Sequence, residues 1–94
     1  MLLAVGPTRT ATLSEPYGNF RLLVVNISRD VSASSGAGTN YEGFECIADT
    51  PNSFFSYEHR VSDGEYIYAS SGNRLTFNNT GDGRNRIMAV IGYR

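Results

Sequence analysis

Residues 75–94 read LTFNNTGDGRNRIMAVIGYR, and this stretch decides the fold class. A short apolar strand opens the stretch, a polar turn follows at 78–83, and residues 87–91 form a nearly unbroken apolar strand. Continuous apolar runs are typical of strands that are covered on both faces. Because a chain that finishes on a core strand has its C-terminus fixed in the fold, the stretch also predicts a domain at the end of a longer assembly.

The strand-like pattern extends over the whole chain of 94 residues. Segments rich in strand-forming residues recur about every 8–12 residues, between clusters of Gly, Asn, Ser and Asp. No window shows the apolar spacing of a helix, and the chain contains no Lys or Gln. The pattern predicts an all-β fold, a small antiparallel β-sandwich of jelly-roll type that forms one domain over residues 1–94. The seven predicted strands are 8–13, 20–28, 41–48, 53–61, 65–70, 75–78 and 86–93.

Two predicted strands, 20–27 and 87–91, are apolar on both faces. They are either central strands, or they turn one face to the core and the other to a neighbouring subunit. The strand 53–61 alternates instead. One of its faces is predicted to hold Phe55, Tyr57, His59 and Val61.

The connections between the strands have turn composition. Residues 61–65 are predicted to form a tight hairpin, in which Asp63 and Gly64 supply the positive-φ turn. The segment 31–40 is small and polar, as surface loops are. The segment 78–83 holds a single carboxylate, so it favours a glycine-containing turn over a calcium site.

Composition and charge argue against several classes of function. The net charge is −1 and all eight basic residues are Arg, so the chain lacks the basic surface that nucleic-acid binding requires. No segment approaches the roughly 18 apolar residues that cross a membrane, which predicts a soluble protein without membrane insertion. Cys46, the single cysteine, excludes an internal disulfide and is predicted to be a buried, inert thiol. No cofactor and no metal are expected.

Catalysis is also not expected. His59 is the sole histidine, and Glu58 and Arg60 lie on the opposite face of its predicted strand, so a structural role is favoured. A glycosidase pair needs two carboxyls about 5–10 Å apart across a cleft, and a chain of this length leaves little room for one. Cleavage of a polysaccharide therefore ranks third among the functions considered.

Tyrosines and arginines are the candidates for ligand binding, because both residue types are enriched where proteins bind partners. Tyr66 and Tyr68 share one face of the predicted strand 65–70, and an exposed pair at this spacing can stack on the C–H faces of sugar rings. The alternatives are that these rings line the core or a subunit interface. The candidate ligand-binding residues are Tyr41, Tyr57, His59, Arg60, Tyr66, Tyr68 and Arg74.

Two segments at the ends of the chain resemble a known family. Residues 11–25 read ATLSEPYGNFRLLVV, which is similar to the T-L-S-x-x-(aromatic)-x-N-F phrase that opens small C-terminal tip domains of bacteriophage tail fibres and tailspikes. The ending, a polar turn at 78–83 followed by a strand that closes at 91–94 as IGYR, resembles the last strand of those domains, which often finishes in an I-x-G-(aromatic or apolar) phrase. The two segments cover about a third of the chain.

The resemblance implies a C-terminal β-sandwich that assembles as a homotrimer at the distal end of a fibre in the virion. It implies recognition of the host surface, usually of a glycan, or a role in folding and trimer registration. Two functions are therefore expected. The first is non-enzymatic binding of a bacterial cell-surface saccharide, and the alternative is trimerisation without a ligand of its own. The resemblance assigns no binding residues.

Overall fold

The computed structural model describes residues 1–31, 40–78 and 83–94. Most of the predicted loop 31–40 and the centre of the predicted turn 78–83 lie outside the described residues. Within them, the fold is all-β, with two antiparallel four-stranded sheets and one short helix, α1, at Ser53–Ser56. The strands are β1 (Leu2–Thr8), β2 (Thr10–Thr12), β3 (Leu22–Asp30), β4 (Tyr41–Asp49), β5 (His59–Arg60), β6 (Tyr66–Ser71), β7 (Arg74–Phe77) and β8 (Asn85–Tyr93).

Strands from the two ends of the chain pair with each other, β1 with β8 and β2 with β7. The first sheet has the strand order β1-β8-β3-β4, and the second has β2-β7-β6-β5. Strands β3 and β4 pair as neighbours in the chain, and so do β5 and β6. The predicted hairpin at 61–65 is confirmed: Asp63 and Gly64 have φ angles of 67° and 73°, and the Val61 N–H donates to the Glu65 carbonyl over 2.9 Å.

One hydrophobic core contains side chains from both sheets. In the first sheet, Val25 of β3 lies opposite Val90 of β8, and both are fully buried. The second sheet contributes Ile67, Leu75 and Phe77 from β6 and β7, and these are buried as well. Along most of β3 and along β6 and β7, alternation places every second side chain in this core, as expected for strands that cover a core with one face.

The strands that are apolar on both faces bury only one of them within the chain. Leu23 and Val25 of β3 are buried, whereas Val24 between them is half-exposed. Ile91 of β8 lies opposite Val24 and is half-exposed too. Both strands are central in their sheet, as the first alternative predicted, and each has a core face and an outer face on which Val24 and Ile91 are half-exposed.

The two segments that carry the family resemblance contact each other. The Phe20 ring packs where Gly92 has no side chain: a Cβ on Gly92 would lie 2.7 Å from that ring and 2.9 Å from the Leu3 side chain. The Arg21 N–H donates to the Tyr93 carbonyl over 2.8 Å. The glycine of the closing phrase thus makes room for the phenylalanine of the opening phrase.

The predicted strand 53–61 is wrong over most of its length. Residues Ser53–Ser56 form α1, and only His59–Arg60 are extended in a sheet. Pro51 has a fixed φ and precedes a turn, in which the Ser53 hydroxyl donates to the Thr50 carbonyl over 2.7 Å. As a result Phe54 is buried, whereas Phe55 and Tyr57 are exposed and do not share a face with His59, which packs on Phe54.

Two further predictions are corrected, one about the first strands of the chain and one about Cys46. The strand β1 was not predicted, because Gly6 and Pro7 interrupt its apolar run, and the predicted strand 8–13 is reduced to β2. Cys46 is exposed, not buried. It lies on the edge strand β4, where Cys46 faces outward and Ile47 packs against the core.

Candidate functional site

Tyr66 and Tyr68 lie on the outer face of the second sheet. Their strand neighbours Ile67 and Ala69 are buried in the core, so alternation along β6 turns both tyrosines away from it. Both rings are half-exposed. The alternative that these tyrosines line the core is therefore wrong.

The two rings form a compact aromatic pair with a cation beside it. Their centroids are 5.7 Å apart and their planes are inclined by 49°. The guanidinium carbon of Arg60 lies 5.4 Å from the centre of the Tyr66 ring, in the range of a cation–π contact. Arg60 also forms an exposed ion pair with Glu58, with 2.5 Å between Nη2 and Oε2.

Strand pairing extends this surface with hydroxyl groups and a second arginine. Tyr68 pairs with Thr76 of β7, and Thr76 pairs with Thr10 of β2. The hydroxyls of Thr10 and Thr76 are 2.7 Å apart. We name this outer surface the tyrosine face. Its members are Thr10, Thr12, Arg60, Tyr66, Tyr68, Arg74 and Thr76.

A buried ion pair fixes the start of β6 beneath the tyrosine face. Glu65 is fully buried and accepts two hydrogen bonds from Arg9, 2.8 Å to Oε1 and 2.5 Å to Oε2. Asn85 donates to Oε1 of Glu65 over 2.9 Å and to the Ser62 carbonyl over 2.8 Å. Burial pushes the pKa of Glu65 upward, but the hydrogen bonds from Arg9 and Asn85 outweigh it and hold the pKa below its usual 4.5.

The tyrosine face contains four of the seven predicted ligand-binding residues, namely Arg60, Tyr66, Tyr68 and Arg74. Tyr57 is exposed but lies in the connection between α1 and β5. Tyr41 begins β4 in the other sheet, opposite Asp30. The structure does not bring these two residues to the face.

His59 is also separated from the tyrosine face, because it lies on the core side of β5. Its ring packs on the buried Phe54, with 4.5 Å between centroids. Its Nε2 atom is 3.0 Å from the Ser53 hydroxyl and 3.9 Å from Oδ2 of Asp49. These contacts give His59 a structural place between α1 and β6.

Sequence reasoning missed the three threonines of the face. A signal was present in β7, where Thr76 alternates with the core residues Leu75 and Phe77. The pairing of Thr76 with β2 joins residues that are far apart in the chain, and no local pattern indicates it.

A cleft of about 250 Å³ lies at the end of the first sheet, near the hairpin at 61–65. The carboxylates of Glu42 and Glu45 line it, and Glu45 accepts a hydrogen bond from the Ser62 hydroxyl over 3.1 Å. Arg29, which also lines the cleft, pairs with Asp63 of the hairpin over 2.9 Å. Among the described residues, no three His, Cys, Asp or Glu side chains are grouped so that they could hold a metal ion.

The outer face of the first sheet has the opposite character from the tyrosine face. We name it the apolar face. Its members are Leu2, Val5, Leu22, Val24, Asn26, Phe44, Cys46, Ala48, Ala89, Ile91 and Tyr93. None of these members is charged, and Phe44 is 85% exposed. The pairing that places Phe44 opposite Ser28 also places the buried cation Arg86 opposite Ser28, so the apolar character ends at this row.

Comparison with known proteins gives no relative. No protein-family model matches the chain, and neither the curated proteins nor the solved structures contain a match. Over residues 1–31, 40–78 and 83–94, no helix is long and apolar enough to cross a membrane.

Proposed function

We propose that this chain is a non-enzymatic recognition module that binds a bacterial cell-surface saccharide through the tyrosine face. In this proposal the two sheets are the layers of a jelly-roll-like β-sandwich. The module is the C-terminal tip of a bacteriophage tail fibre or tailspike in the virion, as the resemblance of its end segments suggests.

The observation that carries the proposal is the half-exposed tyrosine pair on the outer face of the second sheet. Two rings 5.7 Å apart offer aromatic planes to the C–H faces of adjoining sugar rings. Arg60, Arg74 and Thr76 surround the pair with donors and acceptors for sugar hydroxyls. The face has few charges. It lies on paired strands, so its geometry is preorganised and little conformational entropy is lost on binding.

The test is a calorimetric titration of the purified domain with lipopolysaccharide and capsule fragments. Tyr66→Ala and Tyr68→Ala are each expected to weaken binding by about tenfold or more, as the loss of an aromatic anchor of about 1.4 kcal/mol does. Tyr57→Ala is the matched control, because Tyr57 is exposed but lies off the face. Its affinity is expected to be that of the wild type.

Circular dichroism of each variant separates loss of binding from loss of fold. Equal affinities for the folded Tyr66→Ala, Tyr68→Ala and wild-type domains would place the ligand elsewhere. No binding of any fragment at millimolar concentration would remove the proposal.

The alternative function is a C-terminal trimerisation or folding domain without a ligand of its own. It is favoured by the apolar face, which lies on the opposite outer surface from the tyrosine face. Static light scattering distinguishes the two: the alternative requires a stable trimer at micromolar concentration, together with no saccharide binding. A homotrimer that also binds saccharide combines both functions.

A further inference from the structure

Arg74 differs from the other arginines of the chain, because its charge is not neutralised within the fold. In the described part of the chain, seven of the eight arginines form a hydrogen bond, an ion pair or another electrostatic contact with other groups of the protein. Over residues 1–31, 40–78 and 83–94, the guanidinium of Arg74 has no such contact. Its side chain is exposed at the start of β7, so the cation is available to a partner from outside the chain.

Strand register places this cation beside the tyrosine pair. Tyr68 lies opposite Thr76, and Arg74 precedes Thr76 by two residues on the same face of β7. A residue and its diagonal neighbour on the adjacent strand are about 7–8 Å apart, a distance that long side chains span. A group bound on the Tyr68 ring is therefore within reach of the Arg74 guanidinium.

The surroundings of Arg74 on the sheet are neutral. Its pairing partners on the adjacent strands are Thr12 of β2 and Ser71 of β6. The other arginine of the tyrosine face, Arg60, is already paired with Glu58. Arg74 therefore gives this end of the face an uncompensated positive charge.

We propose that the saccharide bound by the tyrosine face is acidic, and that Arg74 pairs with its carboxylate or phosphate group while a sugar ring lies on Tyr68. The inference rests on the proposed function and names the class of its ligand. A planar guanidinium presents paired N–H donors that match two oxygens of such a group. A neutral saccharide leaves the charge of Arg74 without a partner, so the face discriminates in favour of acidic ligands.

The test compares each acidic fragment with a neutral copy of itself by calorimetric titration. Capsule oligosaccharides that contain hexuronic acid are titrated before and after reduction of their carboxyl groups to alcohols. Lipopolysaccharide core oligosaccharides that contain phosphate are titrated before and after dephosphorylation. The wild type is expected to bind at least one acidic form about fivefold more tightly than its neutral form, as an exposed ion pair of about 1 kcal/mol does. The pair of forms that shows the preference identifies the acidic group.

Arg74→Gln is expected to bind the acidic and the neutral form with equal affinity, because it removes the charge. The matched control is Arg21→Gln, which removes the same charge from an exposed arginine beside the first sheet, where Nη2 of Arg21 donates to the Arg94 carbonyl over 2.8 Å. This control is expected to keep the preference of the wild type. Arg74→Lys keeps the charge without the paired donors, and it is expected to retain part of the preference. Circular dichroism verifies the fold of each variant.

Equal affinities of the wild type for the acidic and neutral forms would overturn the inference, and so would a preference that Arg74→Gln keeps. In both cases, weaker binding by Tyr68→Ala would leave the proposed function in place. A folded wild type that binds no fragment at all removes the proposed function and the inference together, so the two failures are distinguishable.

Discussion

Replacement of Arg9 by alanine tests how the fold tolerates Glu65, which is one of two fully buried carboxylates, with Asp30, among the described residues. Glu65 is 0% exposed, and Arg9 supplies two of its hydrogen bonds, at 2.8 and 2.5 Å. In Arg9→Ala, the Asn85 side chain still donates to that carboxylate, but the cation is gone. The variant therefore leaves a buried negative charge without its cationic partner, in addition to deleting a contact.

The expected loss of stability in Arg9→Ala follows from the burial of Glu65. Removing one partner of a buried ion pair typically costs about 3–5 kcal/mol, because the other charge is left uncompensated. The chain offers a matched control in Arg60 and Glu58, whose side chains are 63% and 53% exposed and whose closest atoms are also 2.5 Å apart. For an exposed pair, the expected loss in Arg60→Ala is about 0–1 kcal/mol.

Urea and thermal unfolding followed by circular dichroism measure both variants. Against a typical total stability of about 5–15 kcal/mol, Arg9→Ala is expected to lower the melting temperature by roughly 15–30 °C. The double variant Arg9→Ala/Glu65→Gln also removes the uncompensated charge, and it is expected to recover part of the stability that Arg9→Ala loses. Equal losses in Arg9→Ala and Arg60→Ala, or no recovery in the double variant, would refute the reasoning.

Three further predictions concern stability. Phe54→Ala is expected to lower the free energy of unfolding in urea by about 3–5 kcal/mol, because Phe54 is fully buried. Phe55→Ala is expected to lower it by less than half of that, because the Phe55 ring is 57% exposed. Similar losses in the two variants would contradict the assignment of α1. Gly6→Ala is expected to destabilise the chain by about 3 kcal/mol or more, because its Cβ would meet the Ile87 carbonyl, while Gly18→Ala, with open space around it, should melt like the wild type. The pKa of Glu65 is lowered in the folded state, so its contribution to stability is present above the unfolded pKa of 4.5 and is lost as pH falls through the native pKa. Glu65→Gln is therefore expected to make the free energy of unfolding depend less on pH in the acid range. An unchanged slope of that free energy below pH 4.5 would argue against the ion pair.

The sequence predicted the strands wherever burial of a single face repeats every two residues. Strands β3, β4, β6, β7 and β8 lie within two residues of their predicted bounds. Local turn chemistry was equally informative at Asp63 and Gly64, because few residues adopt a positive φ. The all-β class followed from these local signals.

Alternation failed as a guide where a turn has the same apolar composition as a strand. Phe54 and Phe55 fit either a strand or a helical turn, and the hydrogen bonds after Pro51 select the turn. The exposure of Cys46 was missed for a different reason. An apolar neighbourhood in the sequence indicates a buried strand, but it does not distinguish the core face from an outer face that is itself apolar.

The candidate site was predictable only in part. Tyr66 and Tyr68 were placed on one face by their spacing, which needs no knowledge of pairing. Arg60, Arg74 and Thr76 reach the same face through registers between strands, and a single sequence does not specify those registers. The apolar face likewise depends on the pairing of the four strands of the first sheet.

The most direct test of the account is an NMR titration of the isotope-labelled domain with host saccharide fragments. Binding at the tyrosine face predicts amide shift changes concentrated on β5, β6 and β7, around Arg60, Tyr66, Tyr68 and Thr76, with the strands of the apolar face unchanged. Shift changes centred on Val24 and Ile91, or on the cleft near Glu45, would contradict the account, as would no change at millimolar saccharide.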